Sequence, residues 1–256
     1  MQSPLSRGDL LARFRAGEVT IGTFIGLGSP LSAEVAAISG VDWVLLDLEH
    51  GGGSEDQLAP TVVASGGYGV PTLVRVESTE RIRIGRALDA GAAGVMVPRV
   101  NTLDEVKEVV KHFSYPPNGD RGVATYNRSA RWGKDPDALQ PESKSACIVQ
   151  IETLGSLDVV EEIAGLNGVD VVFVGPLDLS FALGVPRQFE DPKFIAAIEK
   201  VVAAANKANK PAGILAADTK AAKKFLGMGF KFVAVGSDST LLAKAITDVI
   251  TEIKEN

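Results

Sequence analysis

Reactive side chains are scarce in this chain. Of its 256 residues one is a cysteine, Cys147, and two are histidines, His50 and His112. A lone cysteine excludes a disulfide within the chain and a cysteine-built zinc site. It also suits a reducing compartment, so a cytoplasmic location is expected. Aromatic residues make up only 6%, no basic block occurs, and the formal charge is −6. Binding to phosphate backbones needs clustered Lys and Arg, so nucleic acid is not an expected partner. No apolar run is long enough to cross a bilayer, and Met1 to Asp9 lacks the apolar stretch of a secretory signal. No membrane partner is expected either.

What the chain does have is apolar bulk, at 45% of residues. That is enough for a large core, and α/β barrels of this length are often one domain. Short apolar runs recur: "VTIGTFIGL", "DWVLLDLE", "PTLVRVE", "GVMVPRV", "CIVQIET", "VDVVFVGP", "PAGILAA" and "FKFVAVGS". Each is too short for a helix and nearly continuous in its apolarity, which marks parallel strands covered on both faces. Helical patterns lie between them, among them "SPLSAEVAAISG", "TERIRIGRALDAG", "TLDEVKEVVKHF", "GSLDVVEEIAGL" and "TKAAKKFLGMGF". Several open on Ser or Thr and close on Gly, and Thr102 with Glu105 has capping-box spacing.

Eight strands alternating with helices predict a (β/α)8 TIM barrel, one domain over residues 1–256, in preference to an open doubly wound sheet. The segment "PLSRGDLLARFRAGE" reads as a helix capping the barrel bottom. The one long irregular stretch is "SYPPNGDRGVATYNRSARWGKDPDALQPESK", after the fourth unit. A loop of that length in a compact domain is usually functional.

Active sites of such barrels lie at the C-terminal ends of the strands. The polar residues there are Asp47, Glu49 and His50 on the second strand, Arg75 and Glu77 on the third, Arg99 on the fourth, and Gln150 and Glu152 on the fifth. Asp178 follows the sixth, and Asp218 and Asp238 follow the seventh and eighth. The last two precede helices and read as N-caps. Glu77 reads as a solvated loop carboxylate, His112 as a surface residue, Cys147 as a small core residue, and Trp43 and Trp132 as packing groups. Glu152 and Asp178 end neighbouring strands, which lie about 4.8 Å apart. Like charges facing one cavity repel unless something sits between them. A divalent cation, a shared proton and an intervening Arg all satisfy that spacing. Arg75 is a plausible anion clamp or an internal partner of Asp47 or Glu152. His50 is a plausible base near neutral pH or a rim histidine held by a neighbouring carboxylate.

Taken in order, these motifs resemble the HpcH/HpaI-type class II pyruvate aldolases. The likeness runs from "IGTFIGLGSPLSAE" to "FVAVGSDSTLLAKA" and rests on "DWVLLDLEH", "VRV", "ALDAG", "VPRV", "YPPNGDRGV", "RWG", "VQIET", "VFVGPLDLSFALG" and "GIL". The resemblance implies a metal-dependent barrel that joins pyruvate enolate to an aldehyde or cleaves a 4-hydroxy-2-oxo acid. It implies Glu152 and Asp178 as ligands of Mg²⁺ or Mn²⁺, with Co²⁺ or Zn²⁺ as further candidates. It makes His50 the base, Asp89 of "ALDAG" its acidic partner, and Arg75 the group on the pyruvate carboxylate and keto oxygens. Asp47, Gln150, Phe24, Thr125 and Leu215 then belong to the substrate pocket. It also implies a homo-trimer or homo-hexamer. No lysine stands at a strand end, which argues against Schiff-base chemistry. The alternatives are a related lyase acting on a CoA thioester and a barrel that binds 2-oxo acids without turning them over. Departures from the family pattern fall on the aldehyde side: Phe24 where Trp is frequent, "GGGS" after His50, and bulky Tyr126 and Asn127. The three glycines, Gly51 to Gly53, are expected to give their loop freedom over the aldehyde.

Overall fold

The computed structural model describes residues 7–135, 137–141 and 144–255. Strands β1 (Thr20–Ile25), β2 (Trp43–Asp47), β3 (Thr72–Arg75), β4 (Gly94–Val97), β5 (Ala146–Ile151), β6 (Val171–Val174), β7 (Ala212–Ala216) and β8 (Phe232–Ser237) form one closed barrel. Every neighbouring pair is parallel, including the closing pair of β1 and β8. The helices are α1 (Arg7–Arg15), α2 (Pro30–Ile38), α3 (Leu58–Gly66), α4 (Arg81–Ala90), α5 (Leu103–Lys111), α6 (Leu154–Asp158), α7 (Val160–Gly165), α8 (Pro176–Ala182), α9 (Pro192–Lys207), α10 (Thr219–Gly227) and α11 (Asp238–Lys254).

Strand pleating divides the apolar residues into two cores. Val44, Leu46, Val74, Val149, Ile151, Val172 and Val174 point outward and pack under the helices. Trp43, Leu45, Leu73, Met96, Ile148, Phe173 and Phe232 point inward, and Leu10, Leu11 and Phe14 of α1 join this inner cluster. The N-terminal helix thus plugs the barrel as expected, although residues 4–6 of that pattern lie outside the described residues. Trp43 stacks on Phe232 with centroids 4.2 Å apart, and Phe14 meets Phe232 edge-on at 5.4 Å. The indole occupies space that a Cβ on Gly22 would need, so glycine at that position is a packing requirement.

Three local expectations are met. Thr102 and Glu105 form a complete capping box on α5. Asp218 accepts the Ala221 N–H at 2.8 Å and caps α10. Cys147 is buried on the outer face of β5. Others need correction. The helix read over "GSLDVVEEIAGL" is two helices, broken at Val159, whose φ of −100° and ψ of 21° leave the helical region. Trp132 is 67% exposed and is not a packing group within the chain. His112 is mostly buried, with Nδ1 2.8 Å from Asp120. Asp238 does not cap α11, a role that falls to Ser237. Its carboxylate instead accepts Gly26 N at 2.7 Å, Leu27 N at 3.1 Å and Ser32 Oγ at 2.6 Å, fastening the loop after β1.

Helix α11 differs from its fellows. No residue on it is buried, and Leu241, Leu242, Ile246, Val249, Ile250 and Ile253 are all exposed. No described helix is both long and apolar enough to cross a membrane.

Candidate active site

The pleat that places Trp43 and Leu45 inside the barrel places Asp47 inside at its upper end, and the same alternation brings Arg75 in above Leu73 and Gln150 above Ile148. Asp47 and Arg75 are register partners across β2 and β3. Their side chains form a two-pronged pair, Nε to Oδ1 at 2.9 Å and Nη2 to Oδ2 at 2.7 Å. Nη1 of Arg75 lies 3.1 Å from Glu49 Oε2, and the guanidinium sits over the Phe24 ring, 5.2 Å from its centroid. Burial opposes the Arg75 charge, but the hydrogen bonds to Asp47 and the charges of Asp47 and Glu49 outweigh it and raise its pKa. Glu49 therefore belongs to the pocket. Burial pushes its pKa up, with Arg75 opposing.

Asp47 also shapes the backbone. Its Oδ1 accepts the N–H groups of Glu49 at 3.1 Å and His50 at 3.3 Å, turning the chain as it leaves β2. His50 stands at the rim, 66% exposed, with Nε2 3.8 Å from Glu49. The glycines after it serve close approach rather than freedom. A Cβ on Gly51 would collide with the Asp47 carbonyl oxygen, and one on Gly53 would come within 2.8 Å of Gly28 Cα. Gly52 N donates to Gly26 O at 2.8 Å. The loops after β1 and β2 thus interlock backbone against backbone, and the expected mobility gives way to a fixed contact.

Across the pocket, Glu152 follows β5 and is almost fully buried. Its Oε1 accepts the Arg99 backbone N–H at 2.7 Å, and its Oε2 accepts Gln150 Nε2 at 3.0 Å. Gly175 makes room for it, since a Cβ there would strike Oε2. Burial raises the Glu152 pKa to about 7, with Asp178 and Glu49 adding and the Arg99 N–H opposing. Asp178 lies in the first turn of α8, 3.6 Å from Arg99 Nη1. Phe24, Phe173 and Leu215 belong to the inner apolar cluster beneath these groups.

Two predicted site residues lie apart. Asp89, on the last turn of α4, meets Arg121 Nη2 at 2.8 Å, and its backbone oxygen accepts Ser129 N at 3.1 Å. It fastens the long segment after β4, and no contact with His50 occurs within the described chain. Thr125 is exposed on that same segment. A separate cleft of about 260 Å³ beside Gly53 is lined by Arg83, Arg86, Glu55 and Glu77. These four are paired with one another, so the cleft carries no unmatched charge.

The donors fit a divalent cation held by two carboxylates with open positions. Among the described residues Asp47, Glu49, Glu152 and Asp178 meet two permanent cations, Arg75 and Arg99, which leaves two negative charges in excess when all are ionised and His50 is neutral. Gln150 Oε1, on the amide that holds Glu152, is buried without a partner. Such an orphaned acceptor is costly unless a ligand meets it. Among the described residues no three His, Cys, Asp or Glu side chains form a complete metal cage. An oxygen-lined, incomplete set suits Mg²⁺ or Mn²⁺, whose remaining positions go to water or substrate.

A closed parallel barrel with acids and guanidiniums converging at the strand C-termini is the layout of a (β/α)8 enzyme. The chain matches the family described as HpcH/HpaI aldolase/citrate lyase over residues 20–245, and it belongs to that family. It is 39% identical to the 4-hydroxy-2-oxo-heptane-1,7-dioate aldolase of Escherichia coli, over 91% of this chain and 90% of that one. It is also 39% identical to a pyruvate aldolase of Rhizobium etli, over 91% of this chain and 92% of that one. A crystal structure of a family member from Burkholderia cenocepacia J2315 superimposes with a TM-score of 0.92 at 34% identity, covering 96% of this chain and 99% of that one.

Proposed function

We propose that this chain is a class II pyruvate aldolase, a single-domain carbon–carbon lyase that makes or cleaves 4-hydroxy-2-oxo acids. The observation that carries the reading is the Glu152–Asp178 pair, beside the orphaned Gln150 oxygen and across from the Arg75 clamp. Glu152 and Asp178 would hold the divalent cation, Mg²⁺ or Mn²⁺ by the character of their oxygens. When bound, that ion supplies Lewis-acid stabilisation of the negative charge that develops on the 2-oxo acid oxygens.

The rest of the chemistry belongs to side chains. A guanidinium has five N–H groups. Asp47 takes two of Arg75's, and Glu49 pairs with Nη1 at 3.1 Å, so N–H groups of Nη1 and Nη2 remain for the carboxylate and keto oxygens of a 2-oxo acid. Phe24, Phe173 and Leu215 exclude water beneath the reacting carbons. His50 Nε2 takes the proton of the 4-hydroxyl during cleavage and returns it during addition. Asp47 holds the turn that carries His50, and Glu49 Oε2 lies 3.8 Å from its Nε2.

Assembly into a homo-trimer or homo-hexamer is supported by the apolar face of α11, which no described residue covers. In such an assembly Asp89 serves as partner to the His50 of a neighbouring copy, and Thr125 lies at a pocket completed between copies. A cytoplasmic location accords with the single reduced, buried cysteine.

The test is a panel of 4-hydroxy-2-oxo acids incubated with metal-stripped protein, with Mg²⁺, Mn²⁺, Co²⁺ or Zn²⁺ restored in turn. Pyruvate release that EDTA abolishes and metal restores is expected. Absence of pyruvate from every acid with every metal overturns the proposal.

A further inference from the structure

The pocket contains two arginines, and the fold uses them differently. Arg75 is buried and locked by Asp47 and Glu49. Arg99, just beyond β4, has a φ of +55°, a left-handed conformation that non-glycine residues seldom take. Such conformations persist where surrounding structure enforces them, and they concentrate at functional sites. Here the conformation aims the backbone N–H at Glu152 Oε1, 2.7 Å away. The guanidinium reaches the other acid, with Nη1 3.6 Å from Asp178 Oδ1. One residue therefore touches both carboxylates of the pair, one through its backbone and the other through its side chain.

The two attachments differ in strength. The bond to Glu152 is short and does not depend on the side chain. The contact with Asp178 is too long for a hydrogen bond, and the Arg99 side chain is 66% exposed. It is the only ion pair the guanidinium makes among the described residues. A guanidinium cannot shed its proton, so its charge leaves Asp178 only by movement.

We propose that Arg99 is a resident counter-ion of the Glu152–Asp178 pair, which a divalent cation must displace from Asp178, so that this residue sets the metal affinity. The inference rests on the metal reading given above. The Arg99 guanidinium pairs with Asp178 and so lowers its attraction for another cation. On displacement the side chain swings into solvent, while its backbone N–H stays on Glu152 and keeps that carboxylate aimed. Arg99 acts as a positioning residue through its backbone and as a competitor through its side chain.

The test is calorimetric titration of chelator-stripped, full-length protein with Mn²⁺ alone, without substrate, at low and high salt. Arg99→Asn removes the charge and tolerates the left-handed backbone. Arg99→Gly accepts that backbone too and repeats the test if the first variant folds poorly. Arg99→Lys keeps the charge, and Glu152→Gln tests the site itself. Arg99→Asn is expected to bind Mn²⁺ roughly three- to thirtyfold more tightly at low salt, an advantage that shrinks as salt screens the guanidinium. Arg99→Lys should return most of the way to the parent affinity. If Arg99→Asn binds Mn²⁺ no more tightly than the parent while Glu152→Gln has lost it, the counter-ion inference is overturned and the metal reading stands. If Glu152→Gln binds as the parent does, the metal reading fails and takes this inference with it.

Discussion

The lower half of the barrel interior is filled by Trp43, Phe14 and Phe173, each in ring contact with Phe232. The upper half, on the same strands, is filled by Asp47, Arg75, Gln150 and Glu152. These four residues are buried like the rings below them, yet the two halves are built on opposite terms. Below, the side chains are nearly all apolar, and the Trp43 indole N–H is met by the buried Thr20 hydroxyl at 3.3 Å. Above, four carboxylates crowd two guanidiniums, a buried amide oxygen has no partner, and Glu152 is pushed to a pKa of about 7. The lower half stabilises the fold, and the upper half holds unmet demand that a ligand can satisfy.

The largest effects should separate the two halves. Glu152→Gln and Asp178→Asn are each expected to cut retro-aldol kcat/KM by about 10²–10³-fold or more, with loss of metal binding. The metal-free stability of both should hold or rise, because one carboxylate of a repelling set is gone. Trp43→Ala should do the reverse. It empties the space stacked against Phe232 and costs about 3–5 kcal/mol of stability. Denaturant unfolding reads that loss, and kcat of the remaining folded fraction should change little. A stable Trp43→Ala with poor kcat, or an unstable Glu152→Gln, would erase the division.

Somewhat smaller is the pH effect. Glu152 titrates near 7 in the folded chain and near 4.5 when unfolded. Its raised pKa means that the folded state holds an extra proton between those values. The resulting stability is fully present below about pH 4.5 and is lost as pH rises through about 7. The loss amounts to about 3 kcal/mol, at 1.36 kcal/mol per pH unit. Melting of metal-free protein from pH 5 to 9 should show the parent falling relative to Glu152→Gln. Saturating Mn²⁺ should reduce that difference, since bound metal stabilises the ionised carboxylate. A pH-independent difference between the two proteins would place the Glu152 proton elsewhere.

The same division explains what the sequence could reveal. The strands are legible because both faces of each are buried, so apolar runs are continuous from Trp43 to Leu46 and from Val171 to Val174. Asp47, Arg75 and Glu152 are legible because charge at the end of such a run has no packing explanation. The legible features come from local order. The missed ones come from contacts between distant segments. Asp89 finds Arg121 across 32 positions. The periodicity of α11 records an apolar face, but no described residue covers it.

The glycines after His50 are the clearest such case. Three in a row read as mobility, and only the approach of Gly28 to Gly53 shows otherwise. The smallest predicted effect follows from that contact. Gly51→Ala places a methyl against the Asp47 carbonyl oxygen, and relief requires the turn after β2 to open. A clash of this size costs about 1–3 kcal/mol. The more telling readout is kinetic. Asp47 Oδ1 holds the His50 backbone N–H at 3.3 Å, so opening the turn moves the base but leaves Arg75 and Glu152 in place. Gly51→Ala should therefore lower kcat for retro-aldol cleavage more than it raises KM for the 2-oxo acid, with Mn²⁺ affinity little changed. Were the loop mobile instead, alanine would be accommodated, and stability and kcat would both match the parent.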